Sequence, residues 1–224
     1  MKPDLPLTSL HRPANPAAGE PWLLVLMHGV GSNEADLFGL APAVPAQFHV
    51  LSFRAPNVLG PGAYAWFEFG VRPTGERVIN EAQEAASRTQ LGTDIASAAR
   101  QLGVPAGRVV VGGFSQGGIM SLSLLLTQPA LMLGAMVLHG RLLPQVLALQ
   151  APADALRGKK LWVSHGLQDN VIPLASAHQI RSHVAALPLD LHYAEFAGLH
   201  EIRPDELREA MAWLDGLTQG LARD

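Results

Sequence analysis

Along this chain, blocks of unbroken apolar residues alternate with segments of helical period. Trp22-Leu23-Leu24-Val25-Leu26-Met27 has no polar position and reads as a strand buried on both faces; His49-Val50-Leu51-Ser52-Phe53 reads as a second. Further strands are predicted over 108–113, 133–138, 160–164 and 190–196. Helices are predicted over 33–44, 78–102, 116–127, 174–186 and 204–217, with a break near Gly92 in the second. Ser32 or Asn33 is placed to cap the first helix, and Glu34 and Asp36 suit the positive end of its dipole. Apolar strands alternating with helices predict an α/β architecture, a mostly parallel sheet covered by helices on both faces. The residues before Trp22, about twenty, leave room for a short edge hairpin at most. Between Pro56 and Val78 runs a long connection containing Tyr64, Trp66, Phe67 and Phe69. Its aromatics argue against disorder, and they either line a site or fold back onto the core.

Composition narrows the class. The 224 residues are 48% hydrophobic, enough for one large core, so a single domain over 1–224 is expected. A net charge of −3, with both signs mixed along the chain, points away from nucleic acid and from a basic membrane surface. No cysteine is present, which excludes disulfides, thiolate catalysis and cysteine metal sites. The start, Met1-Lys2-Pro3-Asp4-Leu5-Pro6, lacks the apolar stretch of a secretion signal, so a cytoplasmic location is expected. From Val109 to Gly140 no residue is charged, a length that could span a bilayer. Glycines, Gln116, Gln128 and Pro129 break it into short pieces, and a strand, a buried helix and another strand explain it without membrane insertion.

The candidate chemistry begins at Gly113-Phe114-Ser115-Gln116-Gly117, between a predicted strand and a predicted helix. A serine with glycine two positions away on each side, at that junction, describes a nucleophile elbow. The chain reverses so sharply there that a Cβ at either glycine would collide with its surroundings. The other reading is a glycine-rich turn that happens to carry a serine.

A serine hydroxyl is a poor nucleophile until a histidine takes its proton, and that histidine needs a carboxylate to set its tautomer. Functional groups of an open α/β sheet gather beyond the carboxyl ends of its strands. His200 follows the predicted strand 190–196 and is the expected base; His139 and His165, also at strand ends, are its competitors. His192 lies within a strand, and His178 and His183 on a helix. Asp169, in the loop after strand 160–164, is the expected carboxylate, although an aspartate there also serves as an Asx-turn residue. Glu195, near a strand end, is weaker, and Asp190 belongs to the opposite edge. Oxyanion donors are expected from the backbone N–H of Gln116 and, in the His28-Gly29-Val30-Gly31 loop, of Val30.

Together these pieces resemble the phospholipase/carboxylesterase family, which includes acyl-protein thioesterases and small bacterial esterases of the α/β-hydrolase fold. The matching segments are Met27-His28-Gly29-Val30-Gly31-Ser32, Trp66-Phe67, Gly112 to Gly118, His165 to Pro173, and Leu199-His200, in the family's order. The resemblance implies an α/β-hydrolase fold without a large cap domain, and a Ser115, Asp169, His200 triad with Val30 and Gln116 at the oxyanion. Two departures stand out. Where the family often has Ser-Gly before a Leu-Pro step, this chain reads His139-Gly140-Arg141-Leu142-Leu143-Pro144, so His139 and Arg141 are expected to reshape the acyl pocket or its mouth. Leu199 stands where the family has glycine before its histidine.

The expected reaction is hydrolysis of a small acyl ester through an acyl-enzyme, with acyl-thioesterase and lysophospholipase as close alternatives and a non-catalytic binding protein as the remote one. No metal or organic cofactor is required. Trp66, Phe67 and Leu142 are the expected acyl contacts in an open cleft. Acyl length, physiological substrate and oligomeric state leave no mark in the sequence.

Overall fold

The computed structural model describes residues 2–73 and 77–220. In chain order its strands are β1 (Ser9–Arg12), β2 (Trp22–Met27), β3 (Phe48–Phe53), β4 (Asn57–Gly60), β5 (Ala63–Ala65), β6 (Phe69–Val71), β7 (Arg77–Ile79), β8 (Val109–Phe114), β9 (Gly134–Leu138), β10 (Lys160–Gly166) and β11 (Asp190–Phe196). The helices are α1 (Ala35–Phe38), α2 (Glu81–Leu102), α3 (Gln116–Thr127), α4 (Pro144–Leu147), α5 (Leu174–Val184) and α6 (Pro204–Gly220). Seven strands form the central sheet in the order β1-β3-β2-β8-β9-β10-β11. All neighbours are parallel except β1, which pairs antiparallel with β3 as an edge strand. This is an α/β-hydrolase fold.

The apolar strands serve two cores at once, because successive side chains point to opposite faces. Leu23, Val25 and Met27 of β2 pack with α2, α3 and α5. Trp22, Leu24 and Leu26 of the same strand pack with α1 and α6. The uncharged stretch noted above becomes β8, α3 and β9; all but one residue of α3 is buried. Among the described residues no helix is long and apolar enough to cross a membrane.

Three element predictions need correction. The helix expected over 33–44 is a single turn, α1, followed by a 3-10 turn over Ala41–Ala43. Gly39 weakens the helix and Pro42 cannot donate to it, so the segment breaks. The helix expected from Val78 begins at Glu81, because Arg77–Ile79 pairs with β6, and Asn80 caps it by accepting a hydrogen bond from the Gln83 N–H at 3.1 Å. Nor does Gly92 interrupt that helix. It makes room for the Gln128 amide, whose Oε1 would lie 2.2 Å from a Cβ there. The long aromatic connection folds as two short hairpins, β4–β5 and β6–β7.

Candidate active site

Ser115 sits between β8 and α3 with φ 55° and ψ −115°, a conformation that L-residues rarely adopt. Its N–H donates to Leu138 O at 2.9 Å, and its carbonyl accepts the first hydrogen bond of α3 from Ile119 N at 3.0 Å. The flanking glycines are required by contact. A Cβ on Gly117 would lie 1.8 Å from Met27 O, and one on Gly113 would lie 2.4 Å from the Gly117 carbonyl carbon. The sharp turn therefore exists only because both side chains are absent, and it sets Ser115 at the end of the sheet.

His200 and Asp169 reach Ser115 from the loops after β11 and β10. Those loops are laced together: Leu167 N donates to Phe196 O at 2.8 Å and Gln168 N to Gly198 O at 2.9 Å. His200 Nε2 lies 2.9 Å from Ser115 Oγ, and its Nδ1 lies 2.7 Å from Asp169 Oδ2. With a carboxylate on Nδ1, that nitrogen carries the proton and Nε2 is left to accept from the serine hydroxyl. Asp169 divides its oxygens. Oδ1 accepts from the N–H groups of Val171 and Ile172, both at 2.8 Å, and Oδ2 faces the imidazole. Asp169 thus makes an Asx turn with one oxygen and faces the His200 ring with the other. Burial opposes the Asp169 charge, but hydrogen bonds from His200, Ile172 N, His139 and Val171 N outweigh it and hold the carboxyl at about 2.

A second carboxylate–imidazole pair lies behind the first. His139 Nδ1 is 3.0 Å from the same Asp169 Oδ2, and its Nε2 is 3.3 Å from Glu206 Oε2. His139 and Glu206 are 1% and 0% exposed. Glu206 also accepts from Ser164 Oγ at 2.6 Å and from Arg203 N at 3.2 Å. Burial lowers the tendency of His139 to charge, yet its bonds to Glu206 and Asp169 prevail and raise its pKa. The imidazole bridges two carboxylates, an arrangement that favours its protonated form. Ser115 and His139 are, among the described residues, the two non-glycine positions with positive φ. His165, the other histidine weighed as a base, is fully buried and donates from Nε2 to Ile172 O at 2.7 Å; burial lowers its pKa and keeps it neutral.

Glu206 was not among the sequence candidates. It stands in the first turn of α6 beside Asp205, where an acidic side chain is ordinarily explained by the helix dipole. The helical period carries the signal that separates them: Glu206 is in line with the buried Ala210 and Leu214 at i+4 and i+8, whereas Asp205 is in line with the exposed Glu209.

The loop after β2 is pinned on the opposite side of Ser115. A Cβ on Gly29 would come within 3.4 Å of the Ser115 Cβ. His28 Nδ1 donates to Gly29 O at 2.7 Å and Nε2 accepts from Ala55 N at 3.0 Å, so the ring is neutral; burial lowers its pKa in the same sense. Trp66 Nε1 donates to His28 O at 3.0 Å. The Gln116 side chain clasps the aromatic segment, accepting from Trp66 N at 2.7 Å and donating to Phe67 O at 2.6 Å.

Ser115, Gln116, Val30 and Phe67 line a cavity of about 70 Å³. Trp66 does not reach it: the ring is fully buried and braces the loop from beneath. Leu142 packs half-buried against the core, and its neighbour Arg141 lines the cavity instead. The weaker carboxylates are engaged elsewhere, Glu195 by His178 and Tyr193, both at 2.9 Å, and Asp190 by Lys160. His192 stacks on Trp162. His139, Asp169 and His200 bring three possible metal-ligand atoms within 4.8 Å of one another. Both Nδ1 atoms already point at one carboxylate oxygen, so a cation between them would have to displace both bonds.

The sequence model of the phospholipase/carboxylesterase family matches residues 12–217. The chain is 25% identical to the putative hydrolase MhqD of Bacillus subtilis, over 85% of its own length and 91% of that protein's. It is also 25% identical to an acyl-protein thioesterase 1 of Mycosarcoma maydis, over 86% and 89% of the two chains. Among solved structures, the Bacillus cereus carboxylesterase superposes with a TM-score of 0.81 at 23% identity, covering 95% of each chain. Esterase PE8 superposes at 0.77 and 25% identity, over 94% of this chain and 99% of that one.

Proposed function

Because the chain belongs to the phospholipase/carboxylesterase family and is an ester hydrolase, we propose that Ser115, His200 and Asp169 are its nucleophile, general base and orienting carboxylate. The observation that carries this is the unbroken pair of hydrogen bonds from Ser115 Oγ through the His200 ring to Asp169 Oδ2.

In this reading Ser115 Oγ attacks the acyl carbonyl carbon as its proton passes to His200 Nε2. The imidazolium is stabilised by Asp169, whose charge burial has not neutralised. The oxyanion of the tetrahedral intermediate is received by the N–H groups of Gln116 and Val30. Gln116 opens α3, so its N–H has no acceptor within the helix and points toward the incoming oxygen with the helix dipole behind it. Val30 lies between Gly29, packed against Ser115, and Gly31 at φ 81°, in the loop that His28 and Trp66 hold in place. Losing one such donor costs about 3–4 kcal/mol of barrier. As the intermediate collapses, His200 returns the proton to the departing alkoxide. Water then repeats the sequence against the acyl-serine and frees the acid.

The substrate is a small acyl ester. The same steps cleave a thioester, with a thiolate in the alkoxide's place. A fluorophosphonate probe tests the assignment: it is expected to label the protein on Ser115 and to leave Ser115→Ala unlabelled. Equal labelling of both would defeat the reading.

A further inference from the structure

The cavity beside Ser115 is apolar over much of its wall, with Phe67, Ile119, Val171 and Ile172, yet two arginines, Arg77 and Arg141, also line it. The same two arginines, with Val171 and Ile172, line a larger neighbouring cavity of about 820 Å³ that does not itself reach Ser115. The two spaces therefore share Arg77, Arg141, Val171 and Ile172 as common walls. Arg72 also lines the larger one, and among the described residues Glu81 is the one acidic member of its walls. Arg77 lies over the Phe69 ring, 5.2 Å from its centroid.

Arg141 is the unusual member. It is half-buried, and among the described residues nothing hydrogen-bonds to it or pairs with its charge. Burial, and then the like charge of Arg77, lower its pKa. A guanidinium that loses hydration and faces a second cation stays in place at a cost, unless an anion completes the arrangement. Its planar array of donors suits the paired oxygens of a carboxylate or phosphate.

We infer that Arg141, with Arg77 beside it, forms an anion subsite adjoining Ser115, and that the preferred substrates are esters carrying a carboxylate or phosphate group beyond a short apolar segment. This rests on Ser115 being the nucleophile. The small volume next to the hydroxyl limits the apolar part to a few carbons, and the junction of the two cavities receives the charge. The position belongs to this chain's own pattern, since Arg141 follows His139-Gly140 at the departure from the family sequence.

The test compares paired substrates. Mono-p-nitrophenyl adipate is set against its methyl ester, with release of nitrophenolate followed, and acetyl-glycerol 3-phosphate is set against monoacetylglycerol, with release of acid followed. Wild-type protein is expected to favour the charged member of one or both pairs by about 10- to 100-fold in kcat/KM, the range for a charge-assisted contact to substrate. The preferred pair identifies the oxyacid. The preference should shrink as ionic strength rises. In Arg141→Leu the ratio should fall to about one, with partial recovery in Arg141→Lys. Equal rates on charged and neutral members of both pairs, or a preference that Arg141→Leu retains, would overturn the subsite. The nucleophile assignment stands apart from this outcome, because it is read from probe labelling at Ser115 and from turnover of the neutral esters. Should Arg141→Leu fail to fold, the wild-type ratios and their salt dependence decide the question.

Discussion

His139 and His200 present their Nδ1 atoms to the same oxygen of Asp169, at 3.0 and 2.7 Å, one ring running on to Glu206 and the other to Ser115. The two rings meet edge to face with centroids 5.6 Å apart. One carboxylate oxygen thus receives both imidazoles, His200 on the side of Ser115 and His139 on the buried side. Burial opposes the Asp169 charge, and the bonds from His200, Ile172 N, His139 and Val171 N together preserve it.

That arrangement makes the buried pair strongly interdependent. Removing one partner of a buried pair leaves the other charge stranded, at about 3–5 kcal/mol. Glu206→Leu or His139→Leu alone is expected to lose about that much stability in urea unfolding. The double variant is expected to lose less than the sum of the two single losses, because Glu206 and His139 then leave together and only the bonds to Asp169, Ser164 and Arg203 are missing. Additive losses would show that the bridge is not a coupled unit.

The pH dependence of stability follows from the same groups. The Asp169 carboxyl is depressed to about 2, so its contribution is present above its ordinary range near 4 and is lost as pH falls toward 2. The His139 pKa is raised, so its contribution is full below the ordinary histidine value of 6.5 and is lost as pH rises through the raised value. Thermal melts should therefore show the wild-type advantage over His139→Gln shrinking from pH 6 toward alkaline pH. An advantage that grows with pH would contradict a cationic His139.

The strained turn gives a stability–activity conflict at a single residue. Ser115 holds a positive φ that glycine adopts at little cost. Ser115→Gly is expected to abolish ester hydrolysis and yet to be more stable than Ser115→Ala by about 1 kcal/mol. A lower melting temperature for the glycine variant would show that the backbone there is unstrained.

The Gln116 side chain has a role separate from its own backbone N–H. Truncation in Gln116→Ala leaves Trp66 N and Phe67 O without their partners, each buried loss worth about 1–3 kcal/mol. The helix N-terminus and its N–H remain. The expected outcome is a less stable protein with a raised KM, since Phe67 lines the substrate cavity, while kcat changes less. A large fall in kcat at unchanged KM would place the side chain's effect on the oxyanion instead.

Local and topological information was readable from residue order. Strand β2 and helix α3 follow from unbroken apolar runs, and the elbow follows from two glycines at fixed distance from a serine. The proximity of Asp169 and His200 is readable because parallel strands deliver their carboxyl ends to one rim, so a position just after a strand already implies a place in space. The same reasoning could not choose among features without periodicity. Pro42 and Gly39 ended a helix that the apolar pattern continued, and a strand over Arg77–Ile79 took residues that suited a helix, because pairing with Phe69–Val71 satisfied their backbone.

The sequence by itself determined the α/β layering, the order of serine, aspartate and histidine, and the sharp turn beneath the serine, because each depends on neighbours in the chain or on a strand's direction. Only the tertiary structure decided that Trp66 braces a loop from the core, that the partner of Glu206 is His139, and that Arg141 lines the cavity beside Ser115. Those facts depend on contacts between segments distant in the chain: Trp66 with His28, and His139 with Glu206, 67 positions away. Burial then changes what the same residue types do: an acid that reads as a dipole partner becomes the anchor of an imidazole, and an ordinary arginine stands without an acidic partner among the described residues.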